Sequence, residues 1–268
     1  MVVVRIAVIG DVGGHVEQLR KALRELGCET EVPDGLVVVQ VGDLVDRGPD
    51  SLGVLDVVAP LIGERWVQLA GNHEEQYLPG SEVFWPEPLP REGVETLREW
   101  WADGRMRVAA AVTAVGEEFL LTHAGLTLAA WQQLGEPDSA AAAAGLLNER
   151  PDLIRNRGAH GRDPETGPLW AESGAALHEP WMRYSGIVPF GQIHGHSSIV
   201  HFGDQRWTCD GRIRQRASVD WQRRHVRVRV GGRTFVGVDP RHGRAGAATW
   251  EPLVFDDTQT PMSVQVAV

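Results

Sequence analysis

The stretch LVVVQVGDLVDRGPDS, residues 36–51, sets the architecture. Leu36 to Val41 is a short β-branched run that stops at Gly42, the pattern of a strand covered on both faces. The polar loop GDLVDRGPDS follows and leads into a helix expected to run through Leu61. On the amino side, Val2 to Ile9 repeats the strand pattern and ends at a Gly-rich turn carrying Asp11. Val16, Leu19, Leu23 and Leu26 then recur at helical spacing, with Gly27 as the stop. On the carboxyl side, Arg65 to Leu69 is a third strand that ends in AGNHEE. Three consecutive strands therefore each deliver a polar loop at the carboxyl end, where open α/β sheets place their ligands.

The bulk numbers narrow the classes. With 268 residues and 43% apolar side chains the chain can bury one large core. It is read as a single domain over 1–258 followed by a carboxyl-terminal tail, 259–268. A net charge of -10 argues against a general nucleic-acid or membrane-surface binder, which needs a basic field. The Arg-rich run from Arg206 to Arg244 is read as the solvated face of strands, consistent with the alternation HVRVRV. Two cysteines, Cys28 and Cys209, make neither a disulfide framework nor a zinc knuckle, so a reducing cytoplasm fits. The apolar start MVVVRIAVIG is interrupted by Arg5 and runs straight into Gly-Asp, which marks a strand and not a signal peptide. No apolar run reaches the roughly 18 residues a membrane span needs.

Farther on, LPGSEVFWPEPLPREG (78–93) is a Pro-rich excursion, Val94 to Trp101 a helix, and Val108–Val115 with Glu118–Leu121 a strand pair ending in THAG. An Ala-rich helix is capped near Asp138 or Ser139. Arg157 to Pro180 reads as loop, Ile187 to Ile193 as a strand ending in HGHSS, and the remainder as mostly strand. The excursion, with Trp85, Trp100 and Trp101, walls a substrate groove. Its tryptophans form either a satellite hydrophobic cluster or a surface on which a nucleobase stacks.

A hydrolase that works with two metal ions needs a carboxylate shared by both, further Asp, Asn and His ligands from several loops, and cations for the phosphoryl oxygens. Asp11, Asp43, Asn72, His73, His123 and His196 each stand just past an apolar strand and within two residues of a glycine. Any one of them is an ordinary turn residue. On successive strand ends they mark a site.

The strings GDVGGH, GDLVDRGPDS, LAGNHEE, LTHAGL and IHGHSS, in this order between Gly10 and Ser198, resemble the signatures of the calcineurin-like metallophosphoesterase superfamily. The similarity is to its phosphoprotein-phosphatase branch, which includes bacterial protein phosphatases and diadenosine tetraphosphate hydrolases. It implies an α/β fold, a metallophosphatase-type sandwich of two mixed β-sheets flanked by helices. It also implies two divalent ions, with manganese expected and iron, zinc or nickel as alternatives. Asp43 would bridge the ions, Asp11 would belong to the first, and Asn72, His123 and His196 to the second. A bridging hydroxide would attack phosphorus without a covalent intermediate. His73 resembles the general acid, Asp46 the group that orients it, and Arg47 the phosphate clamp, with a salt bridge to Asp46 or Asp50 as the alternative for Arg47.

Three positions depart from the pattern. Gly13 stands where the family has a histidine ligand of the first ion, so either His15 reaches back or that site is partly water-filled. Ser198 replaces a histidine of the nuclease and phosphodiesterase branches, which favours the phosphatase branch. Glu172, in GPLWAES, replaces a second phosphate-binding Arg, leaving Arg157, Arg162 or Arg183 to supply charge. His194 shares a strand face with His196, but the family has no ligand there. The expected activity is hydrolysis of phosphate monoesters on phosphoproteins or small nucleotides. A dinucleoside polyphosphate hydrolase and a catalytically weakened binding or regulatory relative are the alternatives.

Overall fold

Ile6 and Val8 project to one side of the first strand, Ala7 and Ile9 to the other, and all four are fully buried. A strand covered on both faces needs a layer on each side. The computed structural model, which describes residues 5–158, 161–242, 249–256 and 262–265, supplies both. Its strands are β1 (Arg5–Ile9), β2 (Leu36–Gln40), β3 (Trp66–Leu69), β4 (Met106–Arg107), β5 (Ala109–Ala114), β6 (Glu117–Thr122), β7 (Gly191–His194), β8 (Val200–His201), β9 (Arg206–Trp207), β10 (Ala217–Asp220), β11 (His225–Val230), β12 (Arg233–Gly237), β13 (Leu253–Asp256) and β14 (Ser263–Gln265). One large sheet has the order β13-β1-β2-β3-β4, the second β10-β11-β12-β7-β6-β5-β14, and β8 pairs with β9 in a separate two-stranded ribbon.

The two sheets share a dry interface. Ile6, Val8, Val39 and Leu69 from the first meet Ala110, Phe119, Ile193 and Val236 from the second. The outer face of the first sheet packs on α1 (Val16–Leu26), α2 (Ser51–Val58) and, past the short α3 (Asn72–Glu75), α4 (Arg91–Ala102). The outer face of the second packs on α5 (Leu128–Gln133) and α6 (Ala140–Asn148). This is the sandwich of two mixed sheets flanked by helices that the motifs imply. β1, β2 and β3 run parallel, as do β6, β7 and β12. Six carboxyl ends therefore open toward one rim.

Several boundaries differ from the sequence reading. Residues 2–4, read as the start of β1, lie outside the described residues, as does the expected domain boundary at 258/259. Ser263–Gln265, inside the expected tail, instead pairs antiparallel with β5 and closes the edge of the larger sheet. The stretch 157–180, read as loop, contains a π-helical turn, Ser173–His178, whose start is capped by the Glu172 side chain accepting from the Ala175 N–H at 2.7 Å. The capping bond and the burial of Ala176 and Leu177 hold this turn in place. Trp100 is 1% exposed in the helix-covered core, so it walls no groove.

Candidate active site

The loops after β1, β2, β3, β6 and β7 carry Asp11, Asp43, Asn72, His123 and His196, and the fold brings all five together. Their close approach rests on missing side chains. A Cβ on Gly71 would stand 2.3 Å from both the amide nitrogen and Oδ1 of Asp43, and one on Gly195 would stand 2.2 Å from Asp11 Oδ1. Asp43, Asp46, Arg47 and His196 all sit at positive φ, between 56° and 66°. Non-glycine residues adopt that region only when their surroundings enforce it, and such strain gathers at functional sites.

Glu74 does the enforcing for the Asp43 loop. Its buried carboxylate accepts the N–H groups of Gly71 at 2.7 Å, Asp43 and Leu44 at 2.8 Å, and Val45 at 3.3 Å. Burial and the neighbouring Asp43 raise its pKa to about 7, with the backbone donors pulling the other way. In the sequence Glu74 is one residue of the motif LAGNHEE. Its position three residues after Gly71, which lets it turn back on the loop, was the available signal.

The donor atoms converge. His123 Nδ1 donates to the Val41 carbonyl at 2.9 Å, which leaves Nε2 with a lone pair. That Nε2 lies 3.0 Å from Asn72 Oδ1, 3.3 Å from Asp43 Oδ1 and 3.2 Å from His196 Nδ1. His196 Nδ1 is itself 3.0 Å from Asn72 Oδ1. A ring lone pair, an amide oxygen and a carboxylate oxygen facing one another have no proton to share and call for a cation. Burial pulls both imidazoles below their ordinary pKa, so they present neutral nitrogens. Asp43 Oδ2 is fully buried and accepts no hydrogen bond of good geometry among the described residues, its charge being faced by the Arg47 guanidinium at 3.0 Å. Asp11, Asp43 and His123 offer ligand atoms within 4.8 Å of one another. The donor set fits a divalent metal ion.

Beside the donors stands a carboxylate–imidazole pair. His73 Nδ1 donates to Asp46 Oδ2 at 2.8 Å, and both side chains are buried. Asp46 is held in turn by Gln76 Nε2 at 2.6 Å and by the Tyr77 hydroxyl at 3.0 Å. Gln76 and Tyr77 also fix the Pro-rich excursion: Gln76 Oε1 accepts from Phe84 and Trp85 N–H, and the Tyr77 hydroxyl from Leu89 N–H. Phe84 and Trp85 pack edge-on against the His73 ring, at 5.2 and 5.0 Å. Neither Gln76 nor Tyr77 was singled out from sequence, because nothing local distinguishes them.

Arg47 turns inward. Its guanidinium lies 3.0 Å from Asp43 Oδ2, 3.5 Å from Asp11 Oδ2 and 3.0 Å from His73 Nε2, so it pairs with neither Asp46 nor Asp50. Burial opposes charge on Asp43, but His123 and His73 when protonated, together with Arg47, outweigh it and hold that carboxyl below the usual range. Arg47, charged at every working pH, is the persistent part of that balance. Asp11 goes the other way: burial, then Asp239 and Asp43, push it well above the ordinary value. Asp239, at the end of β12, is 3% exposed and was missed, although the apolar run before it carries the same strand-end signal as the other five.

The ring contact that His15 makes is with a second histidine. Its ring stacks on His242 at 4.4 Å, and His242 Nε2 donates to the Asp11 carbonyl at 3.0 Å. His194 packs on His178, 5.7 Å between centroids. Of the three candidate cations, Arg157 is the one near the site. It stacks over Trp170 at 4.6 Å and Phe84 at 5.5 Å and pairs with Glu75 at 3.4 Å. Arg183 pairs with Glu179, and Arg162 is exposed.

Two mixed sheets that deliver carboxylate, amide and imidazole donors to one rim define a metallophosphatase-type protein. The chain belongs to the calcineurin-like phosphoesterase family, whose model matches residues 4–197. Serine/threonine-protein phosphatase 1 of Salmonella typhimurium is 46% identical over 72 residues, 26% of this chain and 30% of that protein. A bis(5'-nucleosyl)-tetraphosphatase PrpE [asymmetrical] of Halalkalibacterium halodurans is 38% identical over 129 residues, 43% of this chain and 50% of that protein. The chain thus spans half or less of these curated relatives. A cold-active protein-tyrosine phosphatase of a psychrophile Shewanella sp. superposes with a TM-score of 0.52 at 16% identity, over 95% of this chain and 76% of that one, a likeness of fold. Among the described residues no helix is long and apolar enough to cross a membrane.

Proposed function

We propose that this protein is a metal-dependent phosphatase that hydrolyses phosphate monoesters, with His73 as the proton donor to the leaving oxygen. The observation that carries this is the buried Asp46–His73 pair at 2.8 Å, set beside the donor cluster and within 3.0 Å of Arg47. A structural ion pair has no need of a ring nitrogen aimed at a cluster of metal donors.

Asp43 and Asp11 would hold the first of two ions and Asp43, Asn72, His123 and His196 the second, with manganese the expected metal. When bound, such ions acidify water and neutralise charge on the phosphoryl group. The remaining roles belong to side chains. Arg47 has a guanidinium that pairs two phosphoryl oxygens at once. Drawn onto a phosphoryl group, it leaves His73 Nε2 free to carry the proton that the leaving oxygen takes. Asp46 holds the other nitrogen and fixes the direction of the ring. His15, one ring removed from Asp11 behind His242, is a positioning residue for the first site. Hydrolysis of a dinucleoside polyphosphate is the second reading, favoured by the PrpE similarity.

The test is metal content, thermal melting and hydrolysis of an aryl phosphate, on the wild type and on Asp43→Asn. The expected result is two ions per chain, a rise in melting temperature on adding Mn²⁺ and turnover, with all three lost in the variant. A wild type that binds no divalent metal and hydrolyses nothing refutes the proposal.

A further inference from the structure

Beside the His73–Arg47 pair the surface opens into a groove of about 370 Å³ between residues 46–52 and residues 85–90. It shares its near end with the site: Arg47 lines it, and Trp85, which packs on the His73 ring, forms one wall. That wall continues through Pro86, Pro88, Leu89 and Pro90. It is preorganised, since the Trp85 and Leu89 N–H groups are tied to Gln76 and Tyr77 and the prolines fix their own φ. Its size falls in the range of small-ligand sites.

The charge of the groove is one-sided. Arg47 is the one cation among its lining residues, and it is engaged by Asp43 and Asp11. Asp50 and Glu87 stand exposed at the rim. A second phosphate laid here would face two carboxylates. The stem of a lysine or arginine would instead lie along Trp85 and the prolines, with its charged head reaching those carboxylates.

Resting on the phosphomonoesterase reading above, we propose that this groove is the leaving-group subsite, and that it takes a polypeptide segment flanking a phosphorylated side chain, with basic or apolar residues favoured over acidic ones.

The test uses the full chain with Mn²⁺ at low ionic strength. Its substrates are two phosphoserine peptides that differ only in carrying Arg or Glu at the flanking positions, a dinucleoside tetraphosphate, and an aryl phosphate as reference. The Arg peptide should exceed the Glu peptide in kcat/KM by about tenfold, the scale of one or two ion pairs reversed in sign, and the ratio should shrink with added salt. Glu87→Lys should bring the ratio to about one or invert it. Equal turnover of the two peptides by the wild type, a ratio unmoved by Glu87→Lys, or a dinucleoside tetraphosphate turned over faster than either peptide would overturn the inference while aryl phosphate is still hydrolysed. Failure to hydrolyse aryl phosphate overturns the underlying reading and this one with it.

Discussion

Replacing Asp46 by Asn removes a charge from beneath His73 while keeping its shape, and the geometry predicts how the loss is distributed. The 2.8 Å bond joins two side chains only 1% and 3% exposed, so water cannot replace it. A hydrogen bond to a charged group is worth about 1.5–3 kcal/mol, and 1.36 kcal/mol is tenfold in rate, so kcat/KM should fall by about 10- to 150-fold. Folding should survive. An Asn oxygen can still accept from His73 and Gln76, while its amide can donate to the Tyr77 hydroxyl, which keeps one lone pair beside the one that accepts from Leu89 N–H. Metal content should also hold, because Asp46 contributes no atom to the converging donors. The deficit should therefore follow the leaving group. A nitrophenyl ester, whose alcohol departs without help, should lose little, and a serine or alkyl phosphate should lose most. The assay is kcat/KM across a series of aryl and alkyl phosphates with metal content measured in parallel. An equal loss across the series would show that Asp46 only shapes the pocket, and the proton-donor role of His73 would lose its support.

Two further outcomes follow from buried groups outside that pair. Glu74→Ala strands the N–H groups of Gly71, Asp43 and Leu44, at about 1–3 kcal/mol each, so unfolding should be easier by roughly 3–9 kcal/mol and the melting temperature lower by about 6 °C or more; a shift under about 2 °C in calorimetry would contradict this. His225 is held neutral by burial, its pKa down to about 4 against an unfolded value near 6.5. Its folded pKa lies below the unfolded one, so the unfolded chain binds the extra proton between these values and stability is lost as pH falls from about 6.5 to 4, by at most about 3 kcal/mol. His225→Gln, which can keep the donor to the Glu251 carbonyl, should flatten that part of the stability profile in urea titrations, and an unchanged profile would rule His225 out as the cause.

Sequence alone determined β1, β2 and β3, the three parallel strands at the centre of the first sheet, and the reason is local. An apolar β-branched run such as Leu36 to Val41 has no solvent-facing solution, and Gly42 must end it where a loop turns at positive φ. The same locality exposed Asp11, Asp43, Asn72, His73, His123 and His196, each a polar residue past a strand. What they do to one another was decided by the tertiary structure. Asn72 and His123 are 51 positions apart and His196 is 124 from Asn72, yet their atoms meet at 3.0 Å because two sheets align their carboxyl ends. The inward turn of Arg47, the removal of His15 to a stack with His242, the arrival of Asp239 from β12 and the grip of Gln76 on the Trp85 wall all depend on which loops face across the rim. No period in the chain encodes that. It is set by the packing of one sheet on the other, where a few ångströms of approach between Gly71 and Asp43 decide which donors converge.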